Sequence, residues 1–355
     1  MDLFTATLTL KAKKAKKMLV SVITTINSPS IQVRKLSAKH SHFNLGKIII
    51  VGDQKGPLNY ELEGTKLLSL KKQTTLYPSL SKLIPENHYA RKNLGYLEAI
   101  KTRAGCIYET DDDNSPLESW VPRTLEIQDY KRVIADKGWV NIYKYFTAEH
   151  IWPRGLPLNE IKNEAPRLED GIENQICPIQ QGLVNHSPDV DAIWRLSLDR
   201  PFNFNNASMG TVVVPKGVWS PFNTQSTWWW PVAYPLLYIP SYTTFRMCDI
   251  WKSFVAQRCL WELGHGIAFH SPEVIQDRNE HDLMSDFEDE IPGYLYNHKI
   301  AESLNSLRLE SGADQVANNL LRCYQSLVSN GFIPDKELEI IEAWCVAVDD
   351  INLGS

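Results

Sequence analysis

Glu109, Asp111, Asp112 and Asp113 crowd into a few positions ahead of Asn114, directly after the apolar run Ala104-Gly105-Cys106-Ile107-Tyr108. The run reads as a short buried strand. In extended backbone, side chains two apart point the same way, so Asp111 and Asp113 are expected to face one ion while Asp112 faces elsewhere. Neighbouring carboxylates repel unless a cation or hydrogen-bond donors neutralise them. Hard carboxylate oxygens at this spacing suit Mg²⁺ or Mn²⁺. A plainer reading, an acidic surface turn closed by Asn114 and Pro116, stays open on these residues alone.

Other chemistries are poorly served. A calcium loop starting at Asp111 would place Pro116 where glycine is needed and Pro122 where glutamate is needed. No Walker A sequence or GxGxxG follows the first strand, and there is no HExxH or GxSxG. His265 and His270 lack cysteine partners for zinc. What remains is a nucleotide-diphosphate site with a bridging cation, which would stabilise the charge developing on a leaving diphosphate. Arg91 and Lys92 could add positive charge near the phosphates, and Asp53 could take a nucleoside hydrogen bond.

The elements that must position these groups read as an α/β fold. Met18 to Ile26 is rich in β-branched residues, and Asn27-Ser28-Pro29-Ser30 is a turn or helix-cap signal. A helix-like segment follows over Ile31 to Ser37. Gly46 to Asp53 is a second continuous apolar strand. Unbroken apolar runs imply burial on both faces and hence parallel pairing, so strand, helix and strand form a βαβ unit. Tyr89 to Ile100 has helical spacing and delivers the chain into the strand before the aspartates. Thr24 to Asn27, Asp53 and Asp111 to Asp113 all fall at strand ends, the edge where open α/β sheets bind ligands. Beyond residue 115 the pattern is irregular. Trp139 to Tyr143, Asp191 to Leu196 and Val212 to Val214 read as strands, and Trp228 to Pro231 as a loop or irregular edge. Phe254 to Leu263 is helical, and so are Ile300 to Leu309, Gln315 to Ser329 and Lys336 to Val346.

Composition sets the outer bounds. The 355 residues, 43% hydrophobic and 22% charged, are ordinary for a soluble globular protein, and a net charge of -5 argues against nucleic-acid binding. Lys11 to Lys17 hold five lysines in seven residues, read as a solvated basic tail with peripheral contact to an anionic membrane as the alternative. The six cysteines form no CxxC pair, which suggests a reducing compartment without a disulfide framework. No signal peptide and no apolar stretch of about 20 residues is apparent, so the expected location is cytoplasmic, with any membrane contact peripheral. Eleven tryptophans suit either saccharide platforms or core packing.

Several segments together resemble the STELLO-type glycosyltransferase-like family. They are Val22 to Asn27, Val51 to Lys55, Tyr89 to Tyr96, Tyr108 to Asn114, Trp152 to Gly155, Asp189 to Leu196, Asn223 to Thr227 and Arg246 to Trp251. The resemblance covers about residues 18–290. It implies a GT-A type, Rossmann-like mixed sheet flanked by helices. A basic tail over 1–17 would precede a catalytic domain over 18–290, divided near 115 into nucleotide-binding and acceptor halves, with a helical region over 291–355. The implied activity is transfer of a sugar from a nucleotide donor; the family does not fix donor or acceptor, and the leading expectation here is a UDP-sugar donor with a glycan or lipid-linked saccharide acceptor, as in polysaccharide biosynthesis. A sugar nucleotidyltransferase and a non-catalytic scaffold of a glycan-synthesis complex stand as alternatives.

Roles follow from that resemblance. Asp111 and Asp113 resemble a metal-binding DxD pair for Mn²⁺ or Mg²⁺, and His281 is a candidate late ligand, with His270 as another. Thr24, Thr25, Asn27 and Asp53 resemble a nucleoside pocket, with Asp112 toward the ribose or a basic side chain. Arg91 and Asn93 are expected to approach the diphosphate or donor sugar. Asp249 is the candidate base for the acceptor hydroxyl, with Arg246 beside it. Asn223, Gln225 and Trp229 are expected to line the acceptor, since sugars offer C–H faces to rings and hydroxyls to amides. The run Asp286 to Glu290 is expected to be a solvated face. The oligomeric state is not legible.

Overall fold

A computed structural model describes residues 18–198, 200–277 and 282–353. The basic segment 1–17 and His281 lie outside the described residues. Eleven strands make one mixed sheet. In chain order they are β1 (Leu19–Thr24), β2 (Ile48–Val51), β3 (Thr65–Leu68), β4 (Cys106–Thr110), β5 (Asn114–Pro116) and β6 (Lys131–Val133). The remainder are β7 (Leu168–Asp170), β8 (Ile179–Asn185), β9 (Thr211–Val214), β10 (Ser226–Trp229) and β11 (Ile267–Gln276). Their order across the sheet is β3-β2-β1-β4-β10-β8-β11-β9-β6-β7, with β5 paired to β11.

The first four strands are mutually parallel, as their continuous apolar runs require. β10 then enters antiparallel to both β4 and β8. The fold class is therefore the expected one: an α/β mixed sheet flanked by helices, followed by a helical region.

Helix α1 (Ile31–His42) starts at Ser30, whose hydroxyl accepts from the Val33 N–H and donates to the Asp112 carbonyl at 2.6 Å. One cap thus joins the end of the first βα loop to the aspartate segment. Helix α2 (Lys92–Lys101) is buried along nearly its whole length and lies across β1 and β2. It sits so close that a Cβ on Gly95 would meet Val51 at 2.4 Å and Val22 at 2.7 Å. That approach explains the glycine inside the helix. Helix α3 (Cys248–Glu262) is likewise almost wholly buried. Helices α4 (Leu283–Ser306), α5 (Val316–Ser329) and α6 (Glu337–Leu353) complete the chain and share one hydrophobic core with the sheet. α4 runs straight through residue 290, where the helical region was expected to begin.

Four local expectations are corrected. The aspartates do not continue β4: Asp111 to Asp113 form a turn between β4 and β5, so the two-residue alternation of a strand does not govern them. Trp228 and Trp229 belong to the central strand β10, where buried Glu273 and Glu109 accept from their indole N–H groups, each at 2.7 Å. Asp191 to Leu196 is not a strand. Asp191 accepts from the Trp194 N–H at 2.9 Å and thereby caps a short helix, Ala192–Leu198. Trp139 to Tyr143 holds only the end of a two-residue strand, Gly138–Trp139, and the start of a 3₁₀ turn, Ile142–Tyr145. Among the described residues, no helix is long and apolar enough to cross a membrane.

Candidate active site

The carboxyl ends of β1 and β4 open into a cavity of about 260 Å³. Thr24 and all three aspartates of the turn line it, joined by Thr224 and Gln225 at the start of β10 and Gln276 at the end of β11. Arg154, Asp189, Arg246 and Asp249 close its far side. A larger groove of about 1170 Å³ lies elsewhere, between Tyr77, Ile100, Tyr234 and α6, and no cluster of carboxylates faces it.

Each aspartate of the turn is held differently. Asp111 accepts through Oδ1 from the Tyr89 hydroxyl at 2.8 Å and from the buried Lys92 ammonium at 3.0 Å. Burial raises its pKa, while Lys92 and Tyr89 act against the rise. Asp112 accepts through Oδ2 from Thr25 Oγ1 at 2.5 Å and Asn27 Nδ2 at 3.1 Å. It is therefore turned toward the β1 loop. Asp113 accepts through Oδ2 from Gln276 Nε2 at 3.0 Å, and its Oδ1 is buried with no hydrogen-bond partner. Burial first, then the charges of Asp111 and Asp112, push its pKa up to about 7. A buried carboxylate oxygen without a donor is costly unless something positive meets it.

Opposite the turn, Arg154 is clamped between two carboxylates. Its Nε and Nη2 donate to Asp189 at 2.7 and 2.9 Å, and its Nη1 and Nη2 donate to Asp249 at 2.9 and 3.0 Å. Burial alone would raise the Asp249 pKa, but the Arg154 guanidinium outweighs it and brings Asp249 below its ordinary value. Asp249 lies in the first turn of α3, yet its side chain is no helix cap; it serves this ion cluster. Arg246 donates from Nε to Glu290 at 2.8 Å. Glu290 and Asp286 are buried while Glu288 is exposed, so only part of this acidic run is the solvated face that was expected.

Some expected site residues do not reach the cavity. Arg91 is 1% exposed and donates to Gln73 at 2.7 Å, Ser81 Oγ at 2.9 Å and the Ile84 carbonyl at 2.9 Å. It is the adjacent Lys92 that meets the aspartates. Asn93 is latched to the backbone of Ile239, donating and accepting at 2.8 Å each way. Asp53 caps a neighbouring loop by accepting from the N–H groups of Asn87 at 2.8 Å and His88 at 3.1 Å. Asn223 braces the start of β10, accepting from Gln181 Nε2 at 2.6 Å and the Gln225 N–H at 2.9 Å. Trp229 is fully buried. His270 belongs to a separate cluster with Thr211 and Gln180. Thr24, Gln225, Asp249 and Arg246 do line the cavity with the aspartates.

Tyr89, Arg154, Asp189, Arg195, Thr224, Phe245, Cys248 and Gln276 are the cavity residues that sequence reasoning did not assign to the site. A usable signal existed for two of them. Arg154 and Asp189 sit in otherwise apolar, proline-flanked sequence, where opposite charges are buried only as pairs.

Among the described residues, no three His, Cys, Asp or Glu side chains gather as a ready-made metal cage. A cation that binds with a diphosphate needs less. Mg²⁺ is commonly held by one or two carboxylates plus substrate phosphates and water. The partnerless Oδ1 of Asp113, beside Asp111, fits that demand.

Comparison with known proteins bears on the same region and beyond. Residues 246–353 match the family model of the STELLO glycosyltransferases. The chain is 29% identical over 263 residues to the Arabidopsis thaliana protein named Probable glycosyltransferase STELLO2, a match covering 68% of this chain and 34% of that protein. It is 26% identical over 318 residues to Probable glycosyltransferase STELLO1 of the same organism, covering 84% of this chain and 40% of the relative. The chain thus corresponds to well under half the length of the curated relatives it matches. A solved glucosyl-3-phosphoglycerate synthase from Mycobacterium tuberculosis, in complex with Mn²⁺, UDP and phosphoglyceric acid, superposes with a TM-score of 0.39 at 10% identity, covering 80% of this chain and 79% of that one. A structure described as a mycobacterial protein superposes with a TM-score of 0.38 at 9% identity, covering 91% and 77%. By its family-model and sequence matches, the chain is similar to the STELLO glycosyltransferases.

Proposed function

We propose that this chain is a STELLO-type glycosyltransferase that transfers a sugar from a nucleotide-diphosphate donor, a UDP-sugar, to a saccharide or glycolipid acceptor, with Mn²⁺ or Mg²⁺ bound at the aspartate turn. One observation carries the reading: the buried, partnerless Oδ1 of Asp113, next to Asp111, at the carboxyl end of the parallel strand β4. When bound, the cation supplies charge stabilisation for the departing diphosphate.

The chain's own residues divide the remaining work. Lys92 and Tyr89 fix Asp111 by its Oδ1, leaving Oδ2 for the ion. Thr25 and Asn27 hold Asp112 beside the β1 loop, at the nucleoside side of the cavity. Thr24 brings a buried hydroxyl without a partner, available to the nucleoside. Asp249 is better suited to anchoring than to proton abstraction, because both its oxygens accept from Arg154 and its charge is held by that pairing. With Asp189 it fixes the Arg154 guanidinium at the cavity wall.

The test is a thermal-shift panel of nucleoside diphosphates with and without Mn²⁺, followed by donor-hydrolysis assays on whichever nucleotide binds. UDP is expected to raise the melting temperature only with the cation present, and Asp113→Ala is expected to abolish that rise while leaving the circular dichroism unchanged. Equal UDP stabilisation without any divalent cation would refute the proposal.

A further inference from the structure

Two glutamines link the aspartate turn to the opposite wall of the cavity. Gln276 Nε2 donates to Asp113 Oδ2 at 3.0 Å, and Gln276 Oε1 accepts from Gln225 Nε2 at 2.8 Å. Gln225 is 9% exposed and lines the cavity, and its Oε1 is buried without a partner. With Asp113 ionised, as a cation ligand must be, the direction of this chain is set. An ionised carboxylate only accepts, so Gln276 must turn its amide nitrogen to Asp113 and its oxygen away. That oxygen in turn captures the amide nitrogen of Gln225. Gln225 is left with a carbonyl oxygen that needs a donor.

From this geometry we propose that Gln276 is a positioning residue coupling cation loading at Asp113 to recognition of a donor-sugar hydroxyl by Gln225. The inference rests on the proposed nucleotide-sugar reading. It moves Gln225 from the acceptor side, where the sequence suggested it, to the donor sugar. The reason is proximity: Gln225 is two hydrogen bonds from Asp113, and the sugar of a nucleotide-diphosphate donor hangs from the phosphate that the cation holds. A hydroxyl there satisfies an oxygen that is otherwise buried and unpaired, whereas a ligand lacking it leaves that penalty in place.

The relay makes two linked demands. A metal-ligating carboxylate depends on the groups that orient it, and their loss typically weakens metal binding by about 10- to 100-fold. Residues acting as one unit give non-additive effects. The experiment measures Mn²⁺ alone by electron paramagnetic resonance, on the full chain, for the wild type, Gln276→Met, Gln225→Leu and the double variant. Gln276→Met preserves side-chain volume, and Gln276→Ala serves if its circular dichroism departs from wild type. Mn²⁺ affinity is expected to fall about tenfold in Gln276→Met and about threefold in Gln225→Leu, with the double variant no worse than Gln276→Met. Calorimetry at saturating Mn²⁺ then compares UDP with a panel of UDP-hexoses and UDP-pentoses. The affinity that the best sugar adds over UDP is expected to drop by a similar factor in both single variants.

No Mn²⁺ binding by the wild type would sink the donor-site reading and this inference with it. Wild-type binding with unchanged Mn²⁺ affinity in Gln276→Met, or with the sugar's added affinity intact in either variant, would overturn the relay alone.

Discussion

Replacing Asp113 by asparagine should stabilise the protein while destroying its cation site. The carboxyl is moved from 3.8 to about 7, first by burial and then by Asp111 and Asp112. Its folded value lies above its unfolded one, so the folded state holds the proton more tightly. The ionised side chain therefore costs nothing below about pH 4, costs progressively more between about 4 and 7, and costs a constant amount above that. About three pKa units at about 1.4 kcal/mol each set an upper bound of about 4 kcal/mol at pH 8. Asparagine keeps an acceptor for Gln276 but puts an amide group where Oδ1 has no partner, which returns about 1–3 kcal/mol of that gain. A net stabilisation of about 1–3 kcal/mol remains, or roughly 1–4 °C for a chain of this size. The assay is thermal and urea unfolding of both proteins at pH 4.5 and pH 8, in chelator and in millimolar Mn²⁺. In chelator the gain should be present at pH 8 and shrink strongly at pH 4.5. Mn²⁺ should raise the melting temperature of the wild type at pH 8 and leave Asp113→Asn unmoved. A variant less stable than wild type at pH 8 in chelator, or one equally stabilised at both pH values, would refute the reasoning.

Three further outcomes separate architecture from site. Lys252 and Glu109 form a fully buried pair at 2.9 Å, and Tyr96 and Trp229 also donate to Glu109. Lys252→Met should cost about 3–5 kcal/mol by urea unfolding, and adding Glu109→Gln should recover part of it, because the single change strands a buried charge. Arg91→Leu should lower stability by about 2–4 kcal/mol, since it strands the buried partners of the guanidinium, yet leave the calorimetric Kd for UDP and Mn²⁺ unchanged; a tenfold weaker Kd in a folded variant would restore Arg91 to the site. Trp229→Phe should cost about 1–3 kcal/mol through the lost hydrogen bond to Glu109 without changing the acceptor KM; a raised KM would return that ring to the acceptor wall.

The parallel half of the fold was open to sequence reading because its strands are unbroken apolar runs and its turns carry serine, proline and asparagine. The aspartates were legible for the same reason: charge directly after a buried strand has nowhere to go but a sheet edge. Reading failed where side-chain size hid the element type. Trp228 and Trp229 looked like a loop because three bulky rings in a row fit no simple period, yet their indole N–H groups are matched by Glu109 and Glu273 across the sheet. Asp191 to Leu196 is short and apolar enough for either a strand or a helix, and only the cap made by Asp191 decides it. Arg91 and Lys92 are adjacent charges on one helical turn, and nothing local says which enters the cavity. The choice falls to the third dimension, where Gln73, Ser81 and Ile84 already surround Arg91.

The charge balance of the cavity narrows the proposed cation site more sharply than the motif does. Five aspartates line it: Asp111, Asp112, Asp113, Asp189 and Asp249. Lys92 is paired with Asp111, and Arg154 is shared by Asp189 and Asp249. Asp112 is held by the neutral donors Thr25 and Asn27. Asp113 has only the neutral amide of Gln276, and one of its oxygens has nothing at all. Positive charge is therefore supplied to every carboxylate of this wall except Asp112 and Asp113. Of those two, Asp113 alone combines burial with an unpaired oxygen. An arriving cation gains most there, with Asp111 Oδ2 as its second anchor, and Asp112 is left to face the β1 loop. The three-residue acidic turn thus divides into unequal parts, with one aspartate paired to a lysine, one held by the β1 loop and one left with a buried, partnerless oxygen.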